Sequence, residues 1–320
     1  MLRVLLTNDD GIQARGLQAL AAQLGQRCQV LVVAPSYPQG AKSHSVTLHK
    51  PVRINEAKGY ASSVGPGMLR AYACSGTPAD CVMLGVLHLW KDTPPHLVLS
   101  GINDGENVAQ DMSYSGTVGG ALEGVCCGVP GIAWSNEGYL VNSPKDAVQA
   151  TELVLTILLY NRVYPHLAET ASMWKSNGKA DGAVWPIPPP EAVSRDSSYP
   201  EPGCWYPEGL DCLPCFNVNI PAKPISEIKG IRWTRAGRRE YRDVVKQDVD
   251  PRGKNYYWVA GDKVLLEDED VDTDTHGITQ GYITVTPMHF DRTNRDDLDL
   301  LRRWSQERGS LGDSLRRGHE

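Results

Sequence analysis

Through its first half the chain alternates short apolar runs with apolar positions at helical spacing, and that pattern folds into a parallel sheet covered by helices. Residues 2–6 form an apolar run, Gly11 breaks it, and Leu17, Leu20, Ala21 and Leu24 then mark one helix face. Residues 30–34 form a second strand, stopped at Pro35 and followed by a polar, turn-rich stretch over 36–45. Thr77-Pro78-Ala79-Asp80 reads as a helix start, with Thr as N-cap and Pro in the first turn, running to about Trp90. Residues 96–100 give the next strand, and a loop rich in Gly and Asn follows it. Val118, Ala121, Leu122 and Val125 give the next helix, and residues 131–135 another strand. A further helix face is marked by Ala150, Leu153, Val154, Ile157 and Leu158.

The second half changes character. Residues 172–211 are rich in Pro, Gly and Ser without periodicity and read as an insertion. Strand signals return at 215–220 and 230–234, and extended stretches at 256–260 and 281–286 suggest a hairpin arm and a returning strand. Leu298, Leu300, Leu301 and Trp304 fit a closing helix, and no internal repeat is present. The expected architecture is an α/β fold, a Rossmann-like three-layer core with a mostly parallel sheet.

Charge narrows the partners. A net charge of −6 argues against a general polynucleotide binder, which displaces counterions with an excess of Lys and Arg. A small phosphorylated molecule remains compatible with that charge. No stretch approaches the roughly 20 apolar residues of a membrane span, and the N-terminus has no secretory pattern. Cytoplasm is the expected compartment. Eight Cys in 320 residues do not make a disulfide framework; Cys28, Cys74, Cys81, Cys126 and Cys127 lie in apolar segments and read as buried thiols.

Three strand-end motifs carry the chemistry. Thr7-Asn8-Asp9-Asp10-Gly11 follows the first strand, at the sheet edge where α/β folds bind ligands. Adjacent carboxylates repel unless a cation neutralises them, and hard oxygen donors favour Mg²⁺, Mn²⁺ or Ca²⁺; an Asx turn into the first helix is the other reading. Residues 100–107, SGINDGEN, offer the Asn103 carboxamide as an uncharged hard donor, or are a plain polar loop. Tyr114-Ser115-Gly116-Thr117-Val118-Gly119-Gly120 opens a helix, where backbone N–H groups and hydroxyls bind anions. Ordinary N-capping by Ser115 or Thr117 is the alternative. Gly119 and Gly120 are unfavourable early in a helix and signal close packing or a ligand. All three motifs follow strands of one alternating unit, so the fold gathers them on one edge. Metal ligands beside a phosphate cradle imply metal-assisted phosphoryl hydrolysis.

In order and combination the motifs resemble the SurE (survival protein E) 5′/3′-nucleotidase family: TNDDGIQARGLQALAAQL at the start, SGTPADC at 75–81, SGIN at 100–103 and YSGTVGGALEG at 114–124. FNVNIP from Phe216, TRAGRREYRD from Thr234, DPRGKNYYWV from Asp250 and GYITVTP from Gly281 extend it over nearly the whole chain. The resemblance implies one domain over 1–320, with a core at 1–170, the insertion at about 172–211, and strands, arm and helix at 212–310. It implies a metal site of Asp9, Asp10 and Asn103, with Asp9 and Asp10 catalytic. Ser115, Gly116, Thr117 and Asn107 would lie near the phosphate. Implied too are hydrolysis of nucleoside monophosphates with Mg²⁺ or Mn²⁺, and a homodimer or homotetramer exchanging an arm around residues 238–258.

The chain departs from that family at Gly40, where the loop after the second strand usually supplies a Ser metal ligand. Water, a backbone carbonyl, Gln39 or Ser43 are the candidate replacements. A broad phosphatase or short-chain exopolyphosphatase, or a nucleotide-binding scaffold with an impaired site, are the competing functions. Cys204, Cys212 and Cys215 lack a convincing fourth zinc ligand. Residues 267–270 with Asp272 and Asp274 read as a solvated acidic loop, and Arg235, Arg238, Arg239 and Arg242 as solvated or inter-subunit. For His44 a hydrogen bond outranks proton transfer, and for Trp185, Trp205 and Tyr206 local packing outranks covering a base.

Overall fold

The computed structural model describes residues 2–58, 60, 68–138, 150–151, 155, 213–242, 245–259, 262–264 and 270–308. The chain forms two compact units, residues 1–288 and 289–320.

In the first unit a nine-stranded sheet runs in the order β3-β4-β2-β1-β5-β6-β7-β13-β8. Its strands are β1 (Arg3–Thr7), β2 (Gln29–Pro35), β3 (Ile54–Glu56), β4 (Met68–Cys74), β5 (Leu97–Asp104), β6 (Gly131–Asn136), β7 (Cys215–Ile220), β8 (Ile231–Trp233) and β13 (Ile283–Met288). From β4 through β7 every pairing is parallel; β3 joins β4, and β13 joins β7, antiparallel. The expected mostly parallel α/β sheet is therefore present.

Strand alternation sorts the core into layers. Val4 and Leu6 of β1 pack with Leu17, Leu20 and Leu24 of α1 (Arg15–Leu24). Leu5, between them, points to the opposite face, toward Cys81 and Val82 of α2 (Pro78–Leu84). The expected start of α2 is a full capping box: Thr77 Oγ1 accepts from Asp80 N at 3.2 Å, while Thr77 N donates to Asp80 Oδ2 at 2.8 Å. A five-residue π turn, Gly85–Leu89, carries the helix to Trp90. Helix α3 (Gly116–Cys126) is buried from Gly116 to Gly124.

Differences from the sequence reading have local causes. Strand β5 continues past Ser100 to Asp104 through a register shift against β6 between Ser100 and Asn103. Polar Asn103 and Asp104 masked that extension. Strands β3 and β4, unmarked by alternation, add an edge beside β2. Ala150, Thr151 and Leu155 are helical and buried; Leu153, Val154, Ile157 and Leu158 lie outside the described residues, as do residues 172–211. Cys28, Cys74, Cys81 and Cys215 are buried thiols outside any disulfide, but Cys126 is exposed and Cys127 half-buried, at the end of α3. Cys204 and Cys212 fall outside the described residues.

Beyond β8 lie β9 (Glu240–Arg242), β10 (Val245–Val249), β11 (Asn255–Val259) and β12 (Asp262–Val264), followed by α4 (Asp274–Thr279). The expected hairpin is β10–β11, antiparallel from Val245↔Val259 to Val249↔Asn255. Every residue of both strands is exposed. The second unit contains α5 (Arg295–Arg308), at the expected closing helix. Among the described residues no helix is long and apolar enough to cross a membrane.

Candidate functional site

Connections run one way from β1 to β2 and β4 and the other way to β5, β6 and β7, so the order reverses between β1 and β5. A crevice opens at such a reversal, at the carboxyl ends of the two strands. Thr7 of β1 pairs with Ser100 of β5, which sends residues 8–11 and 101–107 out side by side.

Asn8 builds the turn that the sequence allowed. Its Oδ1 accepts from Gly11 N at 3.2 Å and its Nδ2 donates to Gly11 O at 3.1 Å. The two carboxylates are thereby spared the turn. Asp9 is buried against the start of α3 and accepts a short hydrogen bond from Thr117 Oγ1. A Cβ on Gly116 would stand 2.9 Å from Asp9 Cβ, so glycine lets the helix approach. Burial holds the Asp9 carboxyl above its ordinary range, against the pull of the Thr117 hydroxyl and the amides of Gly116 and Thr117.

Asp10 sits beside it, half-buried, and receives Asp104 N at 3.3 Å on Oδ2. Its carboxyl is pushed up to about 6, first by burial and then by the negative charge of Asp9. Among the described residues no Lys or Arg pairs with either group. Two desolvated, mutually repelling carboxylates without a cationic partner are a poor structural motif and a good cation site. Asn103 Nδ2 donates to Gly105 O at 2.8 Å, which fixes the carboxamide and leaves Oδ1 without a hydrogen bond among the described residues. The donors at these strand ends are all hard oxygens, so the residues fit a divalent cation of the Mg²⁺ or Mn²⁺ type.

Burial and this repulsion together have a measurable consequence in metal-free protein. Above about pH 6 Asp10 is ionised in both states, and the folded state bears the cost. Below the ordinary carboxylate range both states are protonated and the cost vanishes. Asp10→Asn is therefore expected to stabilise chelator-treated protein at pH 7.5 by about 1–2 kcal/mol, discounted for solvent screening, with no gain near pH 3. Urea unfolding at both pH values measures this; equal midpoints at pH 7.5 would count against a charge cost at Asp10.

Ser115 caps α3: its Oγ accepts from Val118 N at 3.1 Å. A hydroxyl that accepts in this way retains its proton for another acceptor. Thr117 spends its own proton on Asp9. The helix glycines are explained by packing. A Cβ on Gly119 would meet Ser43 O at 2.5 Å, and one on Gly120 would meet Ser100 Oγ at 2.8 Å. Asn107 anchors the intervening loop. Its N donates to Asn219 Oδ1 at 2.7 Å and its Nδ2 to Ser135 Oγ at 2.7 Å, while its O accepts from Asn217 Nδ2 at 2.6 Å.

The loop over 36–45 is pinned to the same crevice. Gln39 N donates to Asp9 O at 2.7 Å, and Ser43 N to Tyr114 O at 2.8 Å. Ser43 Oγ donates to Ser113 O at 2.6 Å, and His44 Nε2 lies 2.6 Å from Glu123, down α3 and away from Asp9. Gly40 is exposed, with nothing within 4 Å of a Cβ built on it. Gly40→Ser is accordingly expected to fold unchanged and to lower the metal concentration for half-maximal activity several-fold. An unchanged metal titration would mean that the loop offers another ligand.

Four contributors escaped the sequence reading. Arg239 is not solvated: its guanidinium is buried, 3.0 Å from Glu106 and 2.7 Å from Asp111. Asp274 is likewise no solvated acid; it is fully buried, accepting Ala109 N at 3.0 Å and Gly237 N at 2.8 Å. Asn217 and Asn219 did leave a signal, being amides at period two in an otherwise apolar strand.

A family model described as Survival protein SurE matches residues 4–243. The chain is 37% identical over 305 residues to the 5′-nucleotidase SurE of Carboxydothermus hydrogenoformans, spanning 95% of this chain and 96% of that protein. It is 37% identical over 302 residues to the 5′-nucleotidase SurE of Syntrophotalea carbinolica, spanning 94% and 97%. The crystal structure of the SurE protein from Aquifex aeolicus superposes with a TM-score of 0.66 at 31% identity, over 95% of this chain and 99% of that one.

Proposed function

Because the chain belongs to the survival protein SurE family, we propose that it is a nucleotidase, a phosphoric monoester hydrolase that converts nucleoside 5′- and 3′-monophosphates to nucleoside and phosphate with a divalent cation. The observation that carries the reading is the uncompensated Asp9–Asp10 pair set against the N-terminus of α3 at the order reversal of the sheet.

Asp9, Asp10 and Asn103 would hold Mg²⁺ or Mn²⁺. When bound, the cation supplies a water of lowered pKa and offsets charge on the phosphoryl oxygens. The chain's own residues position the reaction. The positive dipole end of α3 holds the phosphate, with the Ser115 hydroxyl as a further donor. The Thr117 hydroxyl fixes one rotamer of Asp9, so its second oxygen keeps a constant direction. Asn107, tied to β6 and β7, holds the loop between Asn103 and α3 at a constant height. Nucleotide preference rests on the family alone.

The exposed β10–β11 hairpin supports a homodimer or homotetramer with exchanged arms. A lone two-stranded ribbon is marginal in water, and the pairing of this one puts Val245, Val249, Tyr257 and Val259, all exposed, on a single face. Contiguous apolar area of that kind marks an interface.

The deciding experiment measures phosphate release from each nucleoside monophosphate, p-nitrophenyl phosphate and tripolyphosphate, with Mg²⁺, with Mn²⁺ and with chelator. Metal-dependent turnover that favours nucleotides is expected. Preference for the non-nucleotide esters would make the enzyme a broad phosphatase, and hydrolysis indifferent to chelator would remove the metal from the reaction.

A further inference from the structure

The carboxylate of Glu123 lies well along α3 from the Asp9 contact, with its side chain only 10% exposed. No Lys or Arg faces it among the described residues. Its Oε2 is 2.6 Å from Nε2 of His44, which the 36–45 loop delivers across Gly119. One helical turn on, the exposed Cys126 places its Sγ within 4.8 Å of both groups, and Cys127 Sγ lies 3.6 Å from Glu123 Oε1. An imidazole, a carboxylate and a thiol thus converge from two separate segments. None of them takes part in the hydrolytic reaction.

We propose that His44, Glu123 and Cys126 form a second cation site, selective for Zn²⁺ or a cation of similar softness. The chemistry separates it from the first. Nitrogen and sulfur donors suit a borderline-soft ion, whereas the oxygens of Asp9, Asp10 and Asn103 suit Mg²⁺ or Mn²⁺. Geometry permits it: ligands about 2.0 Å from a tetrahedral ion stand about 3.3 Å apart. The His44–Glu123 pair therefore opens by a fraction of an ångström, while the Cys126 side chain, free at the surface, swings in. Water or Cys127 completes the shell. Burial and then the Glu123 charge push the Cys126 thiol up; a bound ion would neutralise that charge and itself favour the thiolate. Occupancy ties the loop that carries Gly40 to the helix that carries Ser115.

Cobalt(II), a spectroscopic stand-in for zinc, tests the site in the full chain. Chelator-stripped protein is presaturated with Mg²⁺ and titrated with Co²⁺, and then Zn²⁺ is used to displace it. The expected result is a near-ultraviolet thiolate-to-cobalt charge-transfer band that survives in Asp10→Asn and disappears in Cys126→Ser. Zinc affinity should fall in Cys126→Ser and in His44→Gln by more than the roughly 10–100-fold typical of losing an outer-shell partner. Hydrogen exchange of residues 41–45 should slow with Zn²⁺ in the parent protein and stay unchanged in Cys126→Ser. Absence of the band in the parent protein, its survival in Cys126→Ser, or its loss in Asp10→Asn alone would overturn the proposal.

Discussion

Asp9→Asn is expected to fold normally and to lose about 10³-fold or more in turnover, equivalent to about 4 kcal/mol of activation free energy. The substitution is nearly isosteric, and the remaining carbonyl oxygen still accepts from Thr117 Oγ1, so the contact between β1 and α3 survives. What disappears is a full negative charge at the position from which a cation and a phosphoryl group would be held. Stability should move little, because removing a desolvated charge offsets the weaker hydrogen bonds from the start of α3. Single-turnover phosphate release alongside a thermal melt separates the two effects. Turnover within tenfold of the parent, in a protein with an unchanged melt, would take Asp9 out of the reaction.

Arg239→Ala is expected to destabilise the protein by about 3–4 kcal/mol. The side chains of Arg239, Glu106 and Asp111 are 7%, 6% and 17% exposed. Burial works against the guanidinium charge, but Tyr241, Glu106 and Asp111 outweigh it and hold its pKa above the ordinary value. Truncating it takes the cationic partner away from two buried carboxylates, Glu106 and Asp111. The damage should spread toward the site, since Asp111 O accepts the amides of Tyr114 at 2.9 Å and Ser115 at 3.1 Å, immediately before α3. Replacing all three as Arg239→Met, Glu106→Gln and Asp111→Asn should recover most of the loss, because no charge is then left unpaired. Urea unfolding of the single and triple variants measures both. A single-variant change below about 1 kcal/mol, or a triple variant no better than the single, would mean that the cluster is screened by solvent.

The sheet and the three strand-end motifs were legible because each is local. Apolar runs at 2–6, 30–34 and 131–135 announce strands, and Thr77-Pro78-Ala79-Asp80 announces a helix by capping chemistry alone. Once those elements alternate, their strand ends share one edge, where Asp9, Asn103 and Ser115 emerge; the order reversal beside β1 is seen only in the fold. Tertiary choices were not legible. Arg239 and Glu106 lie 133 residues apart, each in a polar stretch that looks solvated, and only the fold reveals that they are buried against each other. Asp274 closes an acidic run, yet two loop amides draw it inward. Cys126 sits in a helix that is buried almost throughout, and its exposure at the last turn emerges only in the folded chain.

Anomalous diffraction from crystals grown with Mn²⁺ tests the central claim most directly. A manganese peak coordinated by the Asp9 and Asp10 carboxylates and Asn103 Oδ1, at about 2.0–2.3 Å and facing the Ser115 end of α3, is the expected result. Manganese found elsewhere on the chain, with the Asp9 and Asp10 carboxylates turned away from any ion, would contradict it.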